Sequence, residues 1–398
     1  MVVRWAKAAT CDMHPVKVYA GAATQVLLGR SDFTNAPTFR LPHCNNCLYV
    51  SFKLTAEGKP MTKQHNATLD GLRGVAAAAV CISHTNIALG QTPRFHGNLA
   101  VSFFFILSGF VIARAYEAKL ALGLPMRRFL TIRIIRLYPL ILLGTLLGLA
   151  LLGGQFRATD LVKAVLSGIF LVPVAIGSSA FFPLDAPLWS LFYEIWANVL
   201  YAAIIRSRAA VVGCAASGAA ILLLIVGRGH NISGGYTTST IPLGVGQIFW
   251  GFFAGVILSW LLTDDRVKRL PSVPFPVLAA LLAAMLFNLT TWPWYSALCV
   301  LILFPALVVL GVKDLAAGST RKAALTAGAL SYPLYVVHYP IVERLRAFKA
   351  HPASAAIMGL CLVLVVSYAA WTWYDEPVRA WLGRAARRRW LRLLGLTD

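Results

Sequence analysis

One stretch near the start of the hydrophobic part of the chain carries the residues best suited to chemistry. Residues 69–85 read LDGLRGVAAAAVCISHT, so that small apolar residues separate a basic Arg73 from a titratable His84. At 3.6 residues per turn, this spacing places both side chains within about 20° around a helix and about 16 Å apart along it. Ionisable groups inside a membrane-spanning helix are costly, so both are candidates for function. The structural alternative is an arginine that reaches the membrane surface and a histidine bonded to a neighbouring carbonyl.

The composition indicates that membrane-spanning helices position these residues. Of 398 residues, 58% are hydrophobic and 13% are charged, which is about half the charged fraction of a soluble domain. The apolar residues form long runs and not the alternating pattern of a β-barrel. We therefore predict an all-α fold, a polytopic membrane helix bundle. We attribute the net charge of +21 to basic loops that orient the protein in the membrane and contact anionic lipids. No nucleic-acid partner is expected, because the sequence contains no nucleic-acid-binding motif.

The two ends of the chain differ from the region between them. Residues 1–60 are polar without an apolar run, so we predict an N-terminal extension that is disordered or precedes the true start at Met61. Residues 61–376 are predicted to form the transmembrane domain, and residues 377–398 a basic cytoplasmic tail that contacts the inner leaflet. No metal is expected, because the sequence carries no complete set of zinc-ligating cysteines and histidines.

Eleven apolar segments follow the polar extension. They lie near residues 72–89, 98–116, 137–153, 160–177, 188–205, 209–226, 241–262, 273–290, 294–312, 325–342 and 353–373. Cytoplasmic loops carry an excess of Lys and Arg, and that bias holds along this chain only if 160–177 does not cross. We therefore predict about ten transmembrane helices in a bacterial inner membrane, with both termini cytoplasmic and 160–177 re-entrant or along the outer interface.

This topology sorts the intramembrane polar residues into two groups. The inner group consists of three arginines near the cytoplasmic surface: Arg73, Arg133 and Arg136. The outer group consists of ionisable residues beyond the midplane: His84, Glu194 and His338. Guanidinium groups bind phosphate oxygens with paired hydrogen bonds, and a histidine with a carboxylate can remove a proton from a hydroxyl. The alternatives are ordinary cytoplasmic charge for the arginines and helix packing for the others. Asp70, three residues before Arg73, is predicted to pair with it.

Six segments, in order, resemble the signatures of the acyltransferase-3 family. They read LDGLRGVAAAAVCISH, FFFILSGF, RIIRLYP, LWSLFYEIW, LSYPLYVVHYPI and YDEPVR. Members of this family are multi-pass bacterial membrane proteins that move an acyl group, usually acetyl, from coenzyme A to a hydroxyl, commonly on a sugar. The resemblance extends from about Thr68 to Arg379. It implies a membrane O-acetyltransferase with acyl-CoA (acetyl-CoA) as the donor substrate and a carbohydrate or glycolipid acceptor.

The resemblance also implies roles for individual residues. His84 would be the general base, oriented or balanced in charge by a second catalytic residue, Glu194. The arginines associated with acyl-CoA binding would be Arg73, Arg133 and Arg136. A further family motif matches Ser331, Tyr332, Tyr335 and His338. The residues predicted for substrate contact or structural support are Asp70, Ser331, Tyr335 and His338. The chain departs from the family after Glu194, where Trp196-Ala197 replaces the usual aromatic pair, and this departure concerns the acceptor side of the site.

A polytopic membrane transporter is the alternative, because intramembrane histidines and glutamates also form proton relays. Transporters of this size often show an internal repeat and broken helices in corresponding halves. Neither is found in this sequence, and a transporter explains the arginine group less well. Release of free CoA from acyl-CoA would distinguish the two classes.

Overall fold

The described part of the chain is helical and contains no strand, which confirms the predicted all-α class. The computed structural model describes residues 66–176, 180–288, 290–348 and 351–393. These residues belong to the second of the chain's two units, Gln64–Asp398. The predicted N-terminal extension lies outside the described residues.

Most of the helices follow one another with short connections, and the two long ones are 171–187 and 228–240. They are α1 Ala67–Ala88, α2 Gly97–Ala121, α3 Met126–Leu152, α4 Ala158–Phe170, α5 Leu188–Ile204, α6 Arg208–Gly227, α7 Ile241–Leu261, α8 Asp264–Arg269, α9 Phe275–Leu286, α10 Pro293–Leu298, α11 Phe304–Gly311, α12 Gly318–Arg344, α13 Pro352–Ala369 and α14 Glu376–Leu393. Two π-helical turns, Cys299–Leu303 and Ala370–Asp375, join α10 to α11 and α13 to α14 without a break.

Six helices in the described ranges are long and apolar enough to cross a membrane, so the chain is a multi-pass membrane protein. Two more, α1 and α12, have 22 and 27 residues but carry polar groups that lower their hydropathy. Helix α4 has 13 residues and is therefore about 20 Å long, whereas a crossing needs about 20 residues. That length agrees with a segment that does not cross, and the count of ten crossings stays a prediction.

Small residues bring α1 and α12 together over much of their length. A methyl group at Gly71 would lie 2.9 Å from the Cβ of Ala324, and one at Gly74 would lie 2.5 Å from the Cβ of Ala327. The two pairs advance in the same direction along both helices, so α1 and α12 run parallel. The predicted topology gives its first and tenth crossings this same relative direction. Parallel packing brings His84 on α1 beside the second half of α12.

Glycines also allow α2 and α7 to approach closely. Gly109 of α2 lies against the backbone of Phe252 in α7, and Gly255 of α7 lies against the backbone of Ile106. A β-carbon at Gly109 would lie 2.7 Å from the carbonyl carbon of Phe252. Without side chains at these positions the two backbones make direct contact. This contact fixes the depth of Ser108, the neighbour of Gly109, inside the bundle.

We expect Gly109→Ala to lower the free energy of unfolding by about 1–3 kcal/mol, because an added carbon in a tightly packed core costs about that much. Thermal unfolding in detergent, followed by tryptophan fluorescence, measures the effect. The matched control is Gly213→Ala on α6, where a β-carbon would meet no neighbouring atom within 4 Å. Alanine favours a helix by about 1 kcal/mol over glycine, so the control should be neutral or slightly stabilising. Equal melting temperatures for the two variants would contradict the close contact.

Candidate active site

The two histidines of the outer group contact each other across α1 and α12. Nε2 of His338 lies 3.0 Å from Nδ1 of His84, and the ring centroids are 5.1 Å apart. His338 is fully buried, and the edge of Tyr339 approaches the His84 ring with a centroid distance of 5.7 Å. The sequence placed these histidines in one group, and the structure brings them together.

Hydrogen-bond directions assign the tautomers of the neutral pair. Nδ1 of His338 lies 3.0 Å from the carbonyl oxygen of Leu334, and a carbonyl only accepts, so this Nδ1 carries a proton. The other nitrogen, Nε2 of His338, is then an acceptor for the Nδ1–H of His84. This assignment follows from the hydrogen-bond network. It leaves Nε2 of His84 unprotonated, which is the form that can remove a proton from a substrate.

Glu194 lies with an arginine and not with the histidines. Its Oε1 accepts a hydrogen bond of 2.9 Å from Nη2 of Arg133 and one of 2.7 Å from Oγ of Ser108. The prediction that Glu194 belongs to the outer group and orients or balances His84 is therefore wrong. The physical reason is that a largely buried carboxylate gains far more from a full positive charge and a hydroxyl donor than from a neutral imidazole. Long-range packing of α2, α3 and α5 supplies both.

The three arginines of the inner group gather although they come from two helices. Arg73 forms an ion pair with Asp70, with Nη1 3.5 Å from Oδ1, as the spacing of three residues predicts. The Arg73 guanidinium also lies within electrostatic range of Arg133, Arg136 and Glu194. Three positive and two negative charges therefore meet here, which leaves the group a net positive charge for an anionic ligand.

Of the two adjacent acids Asp375 and Glu376, which lie where the second π-helical turn meets α14, only Asp375 adjoins the inner group. Asp375 is buried and pairs with Arg379 at 2.7 Å, and it lies within electrostatic range of Arg136. Glu376, by contrast, accepts a hydrogen bond of 3.0 Å from Nε1 of Trp371 at an exposed position.

Two tyrosines of the α12 motif hold that helix against its neighbours. Oγ of Ser331 donates to the carbonyl of Gly328 within α12 at 2.6 Å, whereas the hydroxyl of Tyr332 donates to the carbonyl of Leu137 on α3 at 2.6 Å. The hydroxyl of Tyr335 lies 2.7 Å from Oγ of Ser190 at the start of α5. These contacts fix α12, and hence His338, relative to α3 and α5.

Sequence reasoning missed one buried acid, Asp185. Its side chain is 0% exposed, and no described residue donates a hydrogen bond to either carboxylate oxygen. It lies against α3 and α12, where a β-carbon at Gly144 would be 2.5 Å from Oδ2 of Asp185 and 2.6 Å from Cγ1 of Val336. An acid in the stretch FFPLDAPLW is expected at the surface of a connecting loop, so only the packing reveals it. A buried carboxyl without a donor is a candidate for substrate contact.

Comparison with known proteins identifies the family of the chain. Residues 66–372 match the acyltransferase-3 family, described as an acyltransferase domain. A relative named Protein 2 in picA locus, from Rhizobium radiobacter, is 37% identical over 157 residues, which cover 34% of this chain and 79% of the relative. No solved structure matches the chain. The family match spans the helices that carry both the histidine pair and the arginine group, so the chain belongs to the acyltransferase-3 family and is a multi-pass membrane acyltransferase.

Proposed function

We propose that this protein transfers an acetyl group from acetyl-CoA to a hydroxyl of a carbohydrate or glycolipid at a bacterial inner membrane. The observation that carries the proposal is the histidine pair, because its hydrogen bonds leave Nε2 of His84 as a proton acceptor. Membership of an acyltransferase family supports group transfer and gives no support to the alternative of a transporter.

The donor enters, in this proposal, at the cytoplasmic end of the bundle, where the arginine group lies. Coenzyme A carries several phosphate groups, which guanidinium groups bind with paired hydrogen bonds. Arg133 is already committed to Glu194. Arg136 has no ion pair within 4 Å and no hydrogen bond among the described residues, and it lies within electrostatic range of Arg73. Arg136 is therefore the better candidate for a phosphate contact, and Arg133 holds the group together.

Proton transfer is assigned to His84. As the acceptor oxygen attacks the thioester carbonyl, its hydroxyl proton moves to Nε2 of His84, the carbon–sulfur bond breaks, and the proton passes on to the departing CoA sulfur. His338 acts as a positioning residue, because it accepts the Nδ1–H bond of His84 and fixes the ring and its tautomer. The same bond stabilises the positive ring that forms during the transfer.

The two ends of the site are joined by the length of α1. Arg73 and His84 lie on one unbroken helix, so they are about 16 Å apart along its axis. The extended pantetheine arm of CoA would carry the thioester from the arginines toward the base. A donor from the cytoplasmic side and a base near the opposite end together favour acceptors on the outer leaflet or in the periplasm.

The proposal is tested with purified full-length protein in nanodiscs, supplied with acetyl-labelled acetyl-CoA and a panel of glycans. We expect free CoA thiol to appear in step with label on one acceptor class. If no acceptor or donor combination releases CoA, while the protein in vesicles dissipates a proton gradient, the proposal fails and the transporter alternative replaces it.

A further inference from the structure

A polar cleft opens where three connecting segments meet at one end of the bundle. It has a volume of about 200 Å³. The segments are those between α1 and α2, between α6 and α7, and between α9 and α10. Residues of these segments and of the first turns of α2 and α10 line the cleft, among them His96, Asn98, Asn231, Ser233, Trp292 and Tyr295.

The cleft lies at the same end of the bundle as the proposed base. Helix α1 ends at Ala88, one turn after His84, and the chain then leads to the wall of the cleft. Gly97, which begins α2 beside that wall, packs on α1 next to His84, since a β-carbon at Gly97 would lie 3.2 Å from Cβ of Ser83. The arginine group lies at the other end of α1. The cleft is thus on the acceptor side of the proposed reaction.

The lining is neutral and rich in hydrogen-bonding groups. Among the described residues that form it, none is Lys, Arg, Asp or Glu; amides, hydroxyls and one imidazole line it together with two aromatic rings and two aliphatic side chains. Burial lowers the pKa of that imidazole, His96, more than its hydrogen bond to Thr290 raises it, so the ring is uncharged at neutral pH. A lining without charge does not suit the phosphates of a nucleotide. It suits a ligand with many neutral hydroxyls, which both donate to and accept from amides and hydroxyls.

Hydrogen bonds connect the walls of the cleft. Nδ2 of Asn98 donates to Oγ of Ser233 at 2.7 Å, and Nε2 of His96 lies 3.2 Å from the carbonyl oxygen of Thr290. Trp292 stands at this cleft with 62% of its surface exposed. A preformed polar site with one accessible aromatic face fits a sugar ring, whose hydroxyls bond to the walls while its C–H face packs on the indole.

We propose that this cleft holds one neutral sugar ring of the acceptor and thereby selects its class. The inference rests on the proposed function. The volume of the cleft is below the roughly 300–1,000 Å³ typical of sites for drug-sized ligands, so it accommodates one ring of a longer glycan. The next unit of the glycan would then extend from the cleft toward the histidine pair.

Full-length protein in nanodiscs is labelled and applied, without any acyl donor, to an array of neutral and acidic oligosaccharides. We expect retention on a subset of neutral glycans. Trp292→Ala should weaken that retention at least tenfold, and Asn231→Ala, which removes an amide but no ring, should weaken it on the same glycans. The matched control is Trp294→Ala, because Trp294, two residues later in the first turn of α10, is 45% exposed but does not line the cleft. The melting temperature of each variant confirms that it is folded.

Three outcomes would overturn the inference: equal retention of the two tryptophan variants, retention on acidic glycans alone, or no retention on any glycan. Failure of the proposed function looks different, because CoA release is measured separately in the same nanodiscs. Wild-type protein that releases CoA but holds no neutral glycan refutes the cleft only. Protein that holds neutral glycans through Trp292 but never releases CoA refutes acyl transfer and leaves the cleft as a sugar site.

Discussion

Replacing His84 with alanine should lower kcat for acyl transfer by about 10²–10⁴, the usual contribution of a positioned general base. The reason lies in the tautomers of the pair: Leu334 holds the proton on Nδ1 of His338, so the only nitrogen left to accept a substrate proton is Nε2 of His84. At about 1.4 kcal/mol per factor of ten, this loss corresponds to about 3–5 kcal/mol of transition-state stabilisation. The measurement is CoA release under single-turnover conditions in nanodiscs.

Three further measurements show whether that result is specific to His84. The Kd for acetyl-CoA should stay within twofold in His84→Ala, because the arginine group lies at the other end of α1. His338→Ala should also lower kcat, but by less, since it removes the orienting bond and leaves the base. His230→Ala, an exposed histidine in the connection between α6 and α7, should have no effect. Wild-type transfer by His84→Ala would show that the base is another group.

The parts of the site set by a single helix could be predicted from the sequence. The Asp70–Arg73 ion pair follows from three-residue spacing, and the separation of Arg73 and His84 follows from helical rise. The meeting of the two histidines needed one more step, the relative direction of α1 and α12, and the distribution of loop charge supplied it. Each of these inferences depends on geometry that the chain fixes locally or that the membrane imposes.

The parts that depend on packing between distant helices could not be predicted. Glu194 could reach either group from its depth on α5, and its true partners were decided by how closely α2 approaches α7 at Gly109, which sets the position of Ser108. Asp185 lies in the long connection between α4 and α5, where the sequence suggests exposure, and it becomes buried because Gly144 leaves room for its carboxylate. Sequence periodicity carries no information about either event.

The Arg133–Glu194 pair should dominate the stability of the site. Removing one partner of a buried ion pair costs about 3–5 kcal/mol, because the other charge stays in the protein without compensation. Arg133 is 7% exposed and its carboxylate partner is also largely buried, so Arg133→Met should lower the free energy of unfolding by that amount. Thermal or denaturant unfolding in detergent measures it. The double variant Arg133→Met with Glu194→Gln should recover much of the loss, because it removes both charges, and Ser108 can still donate to the amide oxygen.

The same series separates architecture from donor binding. Arg136→Met should leave the melting temperature within a few degrees and raise the Kd for acetyl-CoA at least tenfold, because Arg136, unlike Arg73 and Arg133, forms no hydrogen bond or ion pair within 4 Å among the described residues. Arg127→Met, on the exposed first turn of α3, is the matched control and should change neither property. If the rescued double variant binds acetyl-CoA as tightly as the wild type, Arg133 is structural; if it folds but has lost the donor, Arg133 contacts the phosphates directly. If reversing the charges of Arg133 and Arg136 together leaves the affinity for acetyl-CoA intact, the donor does not bind at this end of the bundle.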